Sequence, residues 1–473
     1  MVLNQFSQFR DEIQSSQQLS TLYKIIIERN EGVDSWIKDI IVLVLKIKYI
    51  VWTMLKKLIL ENWKSFRYAE LPLDPLTVLI GTNASGKSNV VEALEFLQRI
   101  ANGENIETAL AGDKTLPSIR GGVELAARKG ENDFSLKVLV SGEDDETDYL
   151  YNNKTQTLPI VKIINEYINC QNLQDNGEYL TIGKYTIPNF DIPNKSGLKQ
   201  APIIMIHGDF IPNNILIDQA LDYFADDSTN WILKKYFPLR KKARELVAYS
   251  LDKILILNPI PAKMRYFSRL SENIEGDGSN IAGVLAALPE EQKAEVESNL
   301  SYYIKDLPEG DIKKVWSEPV TRLKTDAMLY CQEEWKPGEI IEIDARSMSD
   351  GTLRFLAILT ALLTRPEGSQ IVIEEIDNGL HPSRAALLVK ILKEIGSKRN
   401  IDILLTTHNP ALLDAFGPEI VPFVVVAHRD SETGESKLTL LEDIDNFPKL
   451  FASYSLGQMT TKGAIERSLS HGE

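Results

Sequence analysis

Leu76-Thr-Val-Leu-Ile80-Gly81-Thr82-Asn83-Ala84-Ser85-Gly86-Lys87-Ser88-Asn89 runs straight into Val90-Val-Glu-Ala-Leu-Glu-Phe-Leu97, and the fold turns on this stretch. An apolar, β-branched run precedes GxxxxGKS, and an amphipathic segment follows it. That is the order strand, glycine-rich turn, helix. Such a turn makes an anion cradle from its own backbone N–H groups and the helix N-terminus. Gly81, Asn83, Ser85, Gly86 and Asn89 shape the cradle. Lys87 reaches the terminal phosphates, and Ser88 offers a hydroxyl to Mg²⁺. The spacing therefore points to a nucleoside triphosphate as ligand.

Composition sets the outer limits. The chain has 473 residues, 43% hydrophobic and 25% charged, with a net charge of −15. The length is worth about three domain equivalents, and the balance is that of a globular protein with a sizeable core. The acidic excess argues against a protein coated in nucleic acid, while leaving room for a local basic stripe. Cys170 and Cys331 are the only two cysteines, and their spacing fits neither a metal site nor a disulfide framework. A reduced, cytoplasmic setting is expected. The apolar stretch from Trp36 to Leu55 is broken by Lys38, Asp39, Lys46 and Lys48, and is expected to be no membrane span. Residues 1–53 read as an N-terminal extension, or as translation from too early a start, with the core beginning at Met54. A chain begun at Met54 is expected to fold and bind ATP.

Along the chain, short strand runs lead into the phosphate loop and a helix to about Ala101. Alternating strands such as Phe134–Val140 then suggest an antiparallel lobe. Helical periodicity is expected over Trp231–Leu257 and Asn280–Asp306, with a fresh start at Pro289. Strands return from Lys313, and after Ile343 the alternation of helix and strand is α/β logic. The expected domains are 54–188 as an N-terminal ATPase lobe, 189–311 as a mostly helical insert, and 312–473 as a C-terminal lobe.

A phosphate loop alone spans many enzymes, so other motifs must narrow the reading. Gln370-Ile-Val-Ile-Glu374-Glu375 is a buried strand ending in two carboxylates. Glu374 can hold the Mg²⁺ water shell and Glu375 can polarise an attacking water. A solvated strand end is the plainer alternative. Ile403–Thr407 places His408 at the carboxyl edge of another apolar strand, where α/β folds bind ligands, although a satisfied loop histidine is the commoner case. Ser349-Asp-Gly351-Thr352 opens an apolar helix. It reads either as an N-cap or as a second anion site, with Gly351 permitting close approach.

Taken in order, these motifs resemble ABC-type ATPase heads of the SMC, RecF and OLD kind. Trp63-Lys-Ser-Phe66 and Asn89 look like the SMC and RecF form, and Ser349–Thr352 is similar to the ABC signature. Glu374–Pro382 looks like the Walker B and D-loop stretch of OLD-like AAA-family ATPases from bacterial defence systems, and Thr407–Pro410 matches a switch histidine. The resemblance covers about Met54–Ala101 and Glu342–Thr461. It implies an α/β P-loop NTPase of ABC-head type, with an antiparallel β lobe and a helical insert. It also implies a homodimer in which ATP bound by Lys87 and Ser88 of one chain meets Ser349 of another, Glu375 positions the lytic water and His408 senses the γ-phosphate. Three departures stand out: Glu374 where many heads have Asp, His381 at the usual D-loop Asp, and no assignable Q-loop glutamine.

The substrate of such an ATPase is hinted at only by Lys234-Lys235-Tyr-Phe-Pro-Leu-Arg240-Lys241-Lys242-Ala-Arg244. This dense basic run with two aromatics suits DNA, or equally a solvated helix face. Two functions stay open: an ATP-gated DNA-maintenance or anti-phage ATPase, and a regulatory scaffold whose ATP state controls a separate effector protein, a nuclease or toxin. A transporter subunit is disfavoured by the long insert and by Asn89.

Overall fold

The computed structural model describes residues 55–142, 147–173, 179–186, 204–206, 209–211, 242–307, 311–320, 322–379, 381–445 and 447–470. The expectations for residues 1–53, and for Lys234, Lys235, Arg240 and Lys241 of the basic run, lie outside them.

Two sheets are built around one helix. Strands β1 (Leu55–Trp63) and β2 (Phe66–Pro72) form a hairpin, and β3 (Leu76–Ile80) leads through the glycine-rich turn into helix α1 (Lys87–Ala101). After the short helix α2 (Ile106–Ala111) come β4 (Asp133–Ser141), β5 (Thr147–Gln156), β6 (Lys162–Leu173) and β7 (Tyr179–Thr186). The antiparallel sheet has the order β2-β1-β4-β5-β6-β7, so the lobe expected from the alternating pattern also takes in the first hairpin. Strands β8 (Ile204–Ile206) and β9 (Asp209–Ile211) pair with each other.

The central sheet has the order β10-β15-β16-β3-β17-β18, with β10 (Ile254–Leu257), β15 (Gln370–Ile373), β16 (Asp402–Thr406), β17 (Val424–Arg429) and β18 (Ser436–Leu440). Its strands run parallel except for the β17–β18 hairpin. Parallel strands carry crossovers on both faces, so their side chains must be apolar in both directions. The sequence obeys this residue by residue. Leu79, Val372, Leu404 and Val425 face a cluster with α1 and the antiparallel sheet, including Trp63, Phe96 and Phe134. Their neighbours Val78, Ile80, Ile371, Ile373, Ile403, Leu405, Val424 and Val426 face the opposite cluster. Helix α1 is thus sandwiched between sheets, with Val90, Val91, Leu94, Phe96, Leu97 and Ile100 all buried.

The region expected as a helical insert is mixed. Residues 242–252 form helix α3, but Ile254–Leu257, read from the sequence as the end of that helix, is strand β10 and pairs with β15 of the central sheet. Its Ile-Leu-Ile-Leu run is apolar on both sides, which suits a buried edge strand. Beyond it lie α4 (Pro261–Met264), β11 (Ser268–Arg269), α5 (Ile281–Ala287) and α6 (Glu290–Lys305), where Pro289 sits at the N-cap. Strands β12 (Ile312–Val320), β13 (Asp326–Lys336) and β14 (Glu339–Asp344) complete a small antiparallel sheet with β11. Helices α7 (Asp350–Thr364), α8 (Ala385–Arg399) and α9 (Pro410–Phe416) follow. They contribute Leu353, Phe355, Leu388, Ile391, Leu412 and Phe416 to the second cluster. No helix among the described residues is long and apolar enough to cross a membrane.

Candidate active site

The strand order decides what meets. In the central sheet β16 lies between β15 and β3, so the turns leaving β3, β15 and β16 open side by side at the carboxyl edge. Those turns carry Gly81–Ser88, Glu374–Glu375 and Thr407–His408.

The first turn is built on two glycines. Gly81 has φ +141, and a Cβ there would lie 2.1 Å from the Ala427 carbonyl oxygen of β17. Gly86 has φ +114, and its Cβ would meet Phe66 and the Ser436 hydroxyl, each at 2.8 Å. The backbone therefore packs where no side chain fits, and an L-residue would strain it further. Gly86 is the N-cap of α1; no side chain caps the helix and no acidic residue occupies its first turn. The N–H groups and positive pole of a 15-residue helix are left facing the loop, which suits an anion. Ser85 Oγ is buried without a hydrogen-bond partner among the described residues, and Asn83 is exposed at the loop apex. Lys87 Nζ donates to the carbonyls of Gly81 (2.7 Å) and Thr82 (2.8 Å). Burial pushes its pKa down to about 8, against the opposing pull of Glu375 and Glu374.

The second turn meets the first directly: the Ser88 hydroxyl donates to Glu374. These two hard oxygen donors suit Mg²⁺, which ordinarily takes few protein ligands and completes its shell with water and phosphate. Glu375 adopts a left-handed backbone, φ +48, a conformation that costs an ordinary residue roughly 1–2 kcal/mol. Its N–H donates to Thr406 Oγ1 at 2.8 Å, its carbonyl accepts from the Asn378 N–H at 2.8 Å, and Ile376 N–H donates to the Thr406 carbonyl. The end of β16 thus stitches this turn in place and leaves the Glu375 side chain exposed. On the third turn His408 is held mainly neutral-ward by burial and by the charge of Lys87, with Asp377 and Glu375 opposing.

Three residues take roles that the sequence motifs do not assign. Arg120, in the irregular chain between α2 and β4, donates to Glu92 through its backbone N–H (3.3 Å) and Nε (2.7 Å). Its Nη2 stands 3.7 Å from Glu374 Oε1. Lys64 supports it from below, ion-paired with Glu92 and donating to the Arg120 carbonyl at 2.8 Å. Thr406 is the third, for the stitching above. No periodicity marks an arginine in a loop, so only the folded chain brings Arg120 to the carboxylates.

Asn89 lies beside the loop: its side-chain Nδ2 donates to Ser65 Oγ at 2.8 Å, while its backbone carbonyl accepts from Trp63 Nε1 at 2.7 Å. The Ser349 turn is exposed. Ser349 is the N-cap of α7, and its Oγ accepts from the Thr352 N–H at 3.1 Å and pairs with Thr352 Oγ1 at 2.8 Å. Gly351 packs so near the chain after Glu375 that a Cβ would lie 2.9 Å from the Gly379 carbonyl. His381, at the position noted as unusual, caps the following turn by accepting from the Ser383 N–H. Lys242 and Arg244, the described part of the basic run, open α3.

The family model described as "AAA domain, putative AbiEii toxin, Type IV TA system" matches residues 76–414, from β3 into α9. No curated protein matches the chain. Among solved structures, the Smc head bound to the C-winged helix domain of ScpA is similar at 13% identity and TM-score 0.44, covering 82% of this chain and 97% of that one. The Smc head with an extended coiled coil from Pyrococcus furiosus, bound to the C-terminal domain of ScpA, is similar at 15% identity and TM-score 0.42, covering 85% and 100%. The SMC head domain from Thermotoga maritima is similar at 14% identity and TM-score 0.37, covering 82% and 98%.

Proposed function

The chain belongs to this AAA-domain family, and we propose that it is a Mg²⁺-dependent ATP hydrolase that works as a homodimer closed by ATP. The observation that carries the reading is the convergence at one sheet edge of an uncapped, glycine-built anion cradle, the Ser88–Glu374 pair and the backbone-strained Glu375. Gly81, Asn83, Ser85, Gly86 and Lys87 receive the phosphates, with Asn89 bracing the loop through Ser65. Ser88 and Glu374 would hold Mg²⁺, which when bound would neutralise charge on the phosphates. Glu375 orients the attacking water and accepts its proton, and His408, kept largely neutral, donates a hydrogen bond to the terminal phosphate. Ser349 and Gly351 lie at an exposed helix N-terminus of the same chain, and we assign them to the phosphate held by a second copy.

Hydrolysis at such a shared site must depend on protein concentration. ATPase activity per subunit is expected to rise with concentration and to vanish in Glu375→Gln; a rate independent of concentration contradicts the dimer. For cellular role, the family description, which names an AbiEii toxin and a Type IV TA system, supports a part in controlling a toxic effector. The basic run supports a DNA-linked role. DNA-stimulated hydrolysis that weakens when Lys241 and Lys242 are reversed in charge favours the DNA role. DNA-indifferent hydrolysis with a co-purifying protein favours the regulatory one. The cytoplasm is the compartment this reading requires.

A further inference from the structure

The Ser349 turn contains a charge that works against the role just assigned to it. Asp350 occupies the first position of α7, beside the N–H groups that would meet a phosphate, with its side chain 68% exposed. An acidic residue there stabilises the helix but repels an incoming anion. Arg265, just after α4 and far away in sequence, bears on this point. Its Nη2 pairs with the Asp350 carboxylate. Its Nη1 donates to the carbonyls of Ala345 (3.1 Å), Arg346 (2.9 Å) and Met348 (2.7 Å), the backbone that delivers Ser349. One guanidinium therefore fixes the turn from its inner side and offsets its only acidic side chain between Met348 and Thr352. A lysine could supply the charge without the planar fork that reaches four groups at once.

We propose that Arg265 is a positioning residue for nucleotide engagement between copies, holding the Ser349 turn in shape and neutralising Asp350 so that the partner's triphosphate can dock. The inference rests on the two-copy reading above. It is tested in the Glu375→Gln protein by measuring, in parallel, the ATP-dependent dimer dissociation constant by sedimentation and the ATP affinity of the dilute monomer by calorimetry. Arg265→Ala is expected to raise the dimer dissociation constant about a hundredfold, roughly tenfold for the charge-assisted support lost at each of two equivalent sites, with monomer ATP affinity within about twofold of the parent. Adding Asp350→Asn is expected to recover at least about a third of that loss on a logarithmic scale, and Arg265→Lys to fall between parent and alanine. Unchanged dimerisation in Arg265→Ala overturns the inference. So does an equal fall in monomer ATP affinity, which would mark a purely structural arginine, and so does an absence of recovery in the double variant. If the parent itself stays monomeric in ATP, the two-copy reading fails and this inference falls with it; the parent's behaviour tells the two failures apart.

Discussion

Lys87 is 8% exposed, and burial holds its pKa at about 8, more than two units below the ordinary lysine. A triphosphate beside the ammonium favours the charged form, so the pKa must rise on binding and binding must take up a proton wherever the free protein has lost one. Below pH 8 the amine is already charged and affinity is flat. Above it, affinity falls toward tenfold per pH unit until the bound-state pKa is reached. Between pH 7 and pH 9 the free, protonated fraction drops about tenfold, a penalty of about 1.4 kcal/mol. The folding sign is fixed by the same shift: because the folded pKa is depressed, the cost of burying the cation is fully present below pH 8 and is relieved as pH rises toward the unfolded value. Calorimetric titration of the unsubstituted protein with a non-hydrolysable ATP analogue and Mg²⁺ between pH 7 and pH 9.5, in buffers of differing ionisation enthalpy, reads both affinity and proton uptake. Lys87→Ala should bind more weakly and without this slope. A flat affinity across the range, with no proton taken up at pH 9, would refute the assignment of Lys87 to the phosphates.

Other expectations concern the frame around that lysine. Gly81→Ala should distort the loop, because the new Cβ lies 2.1 Å from the Ala427 carbonyl at a φ of +141. ATP affinity should fall at least about tenfold, with a stability loss of roughly 2 kcal/mol or more by chemical denaturation. Asn89→Ala removes the bond to Ser65 and should cost about 1 kcal/mol of stability, seen as a lowered urea midpoint. Asp402 opens β16 at the end of the sheet away from the site, and burial with the nearby Asp74 pushes its pKa up to about 7. A raised carboxylate pKa means the folded state binds the extra proton, so stability falls as pH rises from about 4 to about 7 and the cost persists above that. Asp402→Asn should therefore stabilise the protein by on the order of 2–4 kcal/mol at pH 8 and little at pH 4, measured by urea denaturation at both.

The central sheet was legible because its strands are apolar on both faces and end in chemically loaded turns. Leu76–Ile80, Gln370–Ile373 and Asp402–Thr406 all fall where the apolar runs put them. Pro289 marked the start of α6 for a similarly local reason. What the sequence hid depends on partners distant along the chain. Ile254–Leu257 follows a helix that ends at Asp252, with only Lys253 between them, and a short apolar run has no period that separates strand from helix. Only pairing with β15 settles it. Arg120 and Arg265 sit in irregular segments and acquire meaning through Glu92, Glu374 and the turn at residues 345–350. Asn89 follows GKS and reads from the sequence as part of the cradle. In the fold it ties the loop to Ser65, a link that no local pattern announces.

The account stands most directly on one sedimentation experiment. With saturating ATP and Mg²⁺, the Glu375→Gln protein should sediment as a dimer and revert to monomer without nucleotide. The added Ser349→Arg substitution should leave it monomeric while ATP still binds. A parent that stays monomeric when fully loaded, or a Ser349→Arg protein that dimerises unimpaired, would contradict a nucleotide shared between two copies.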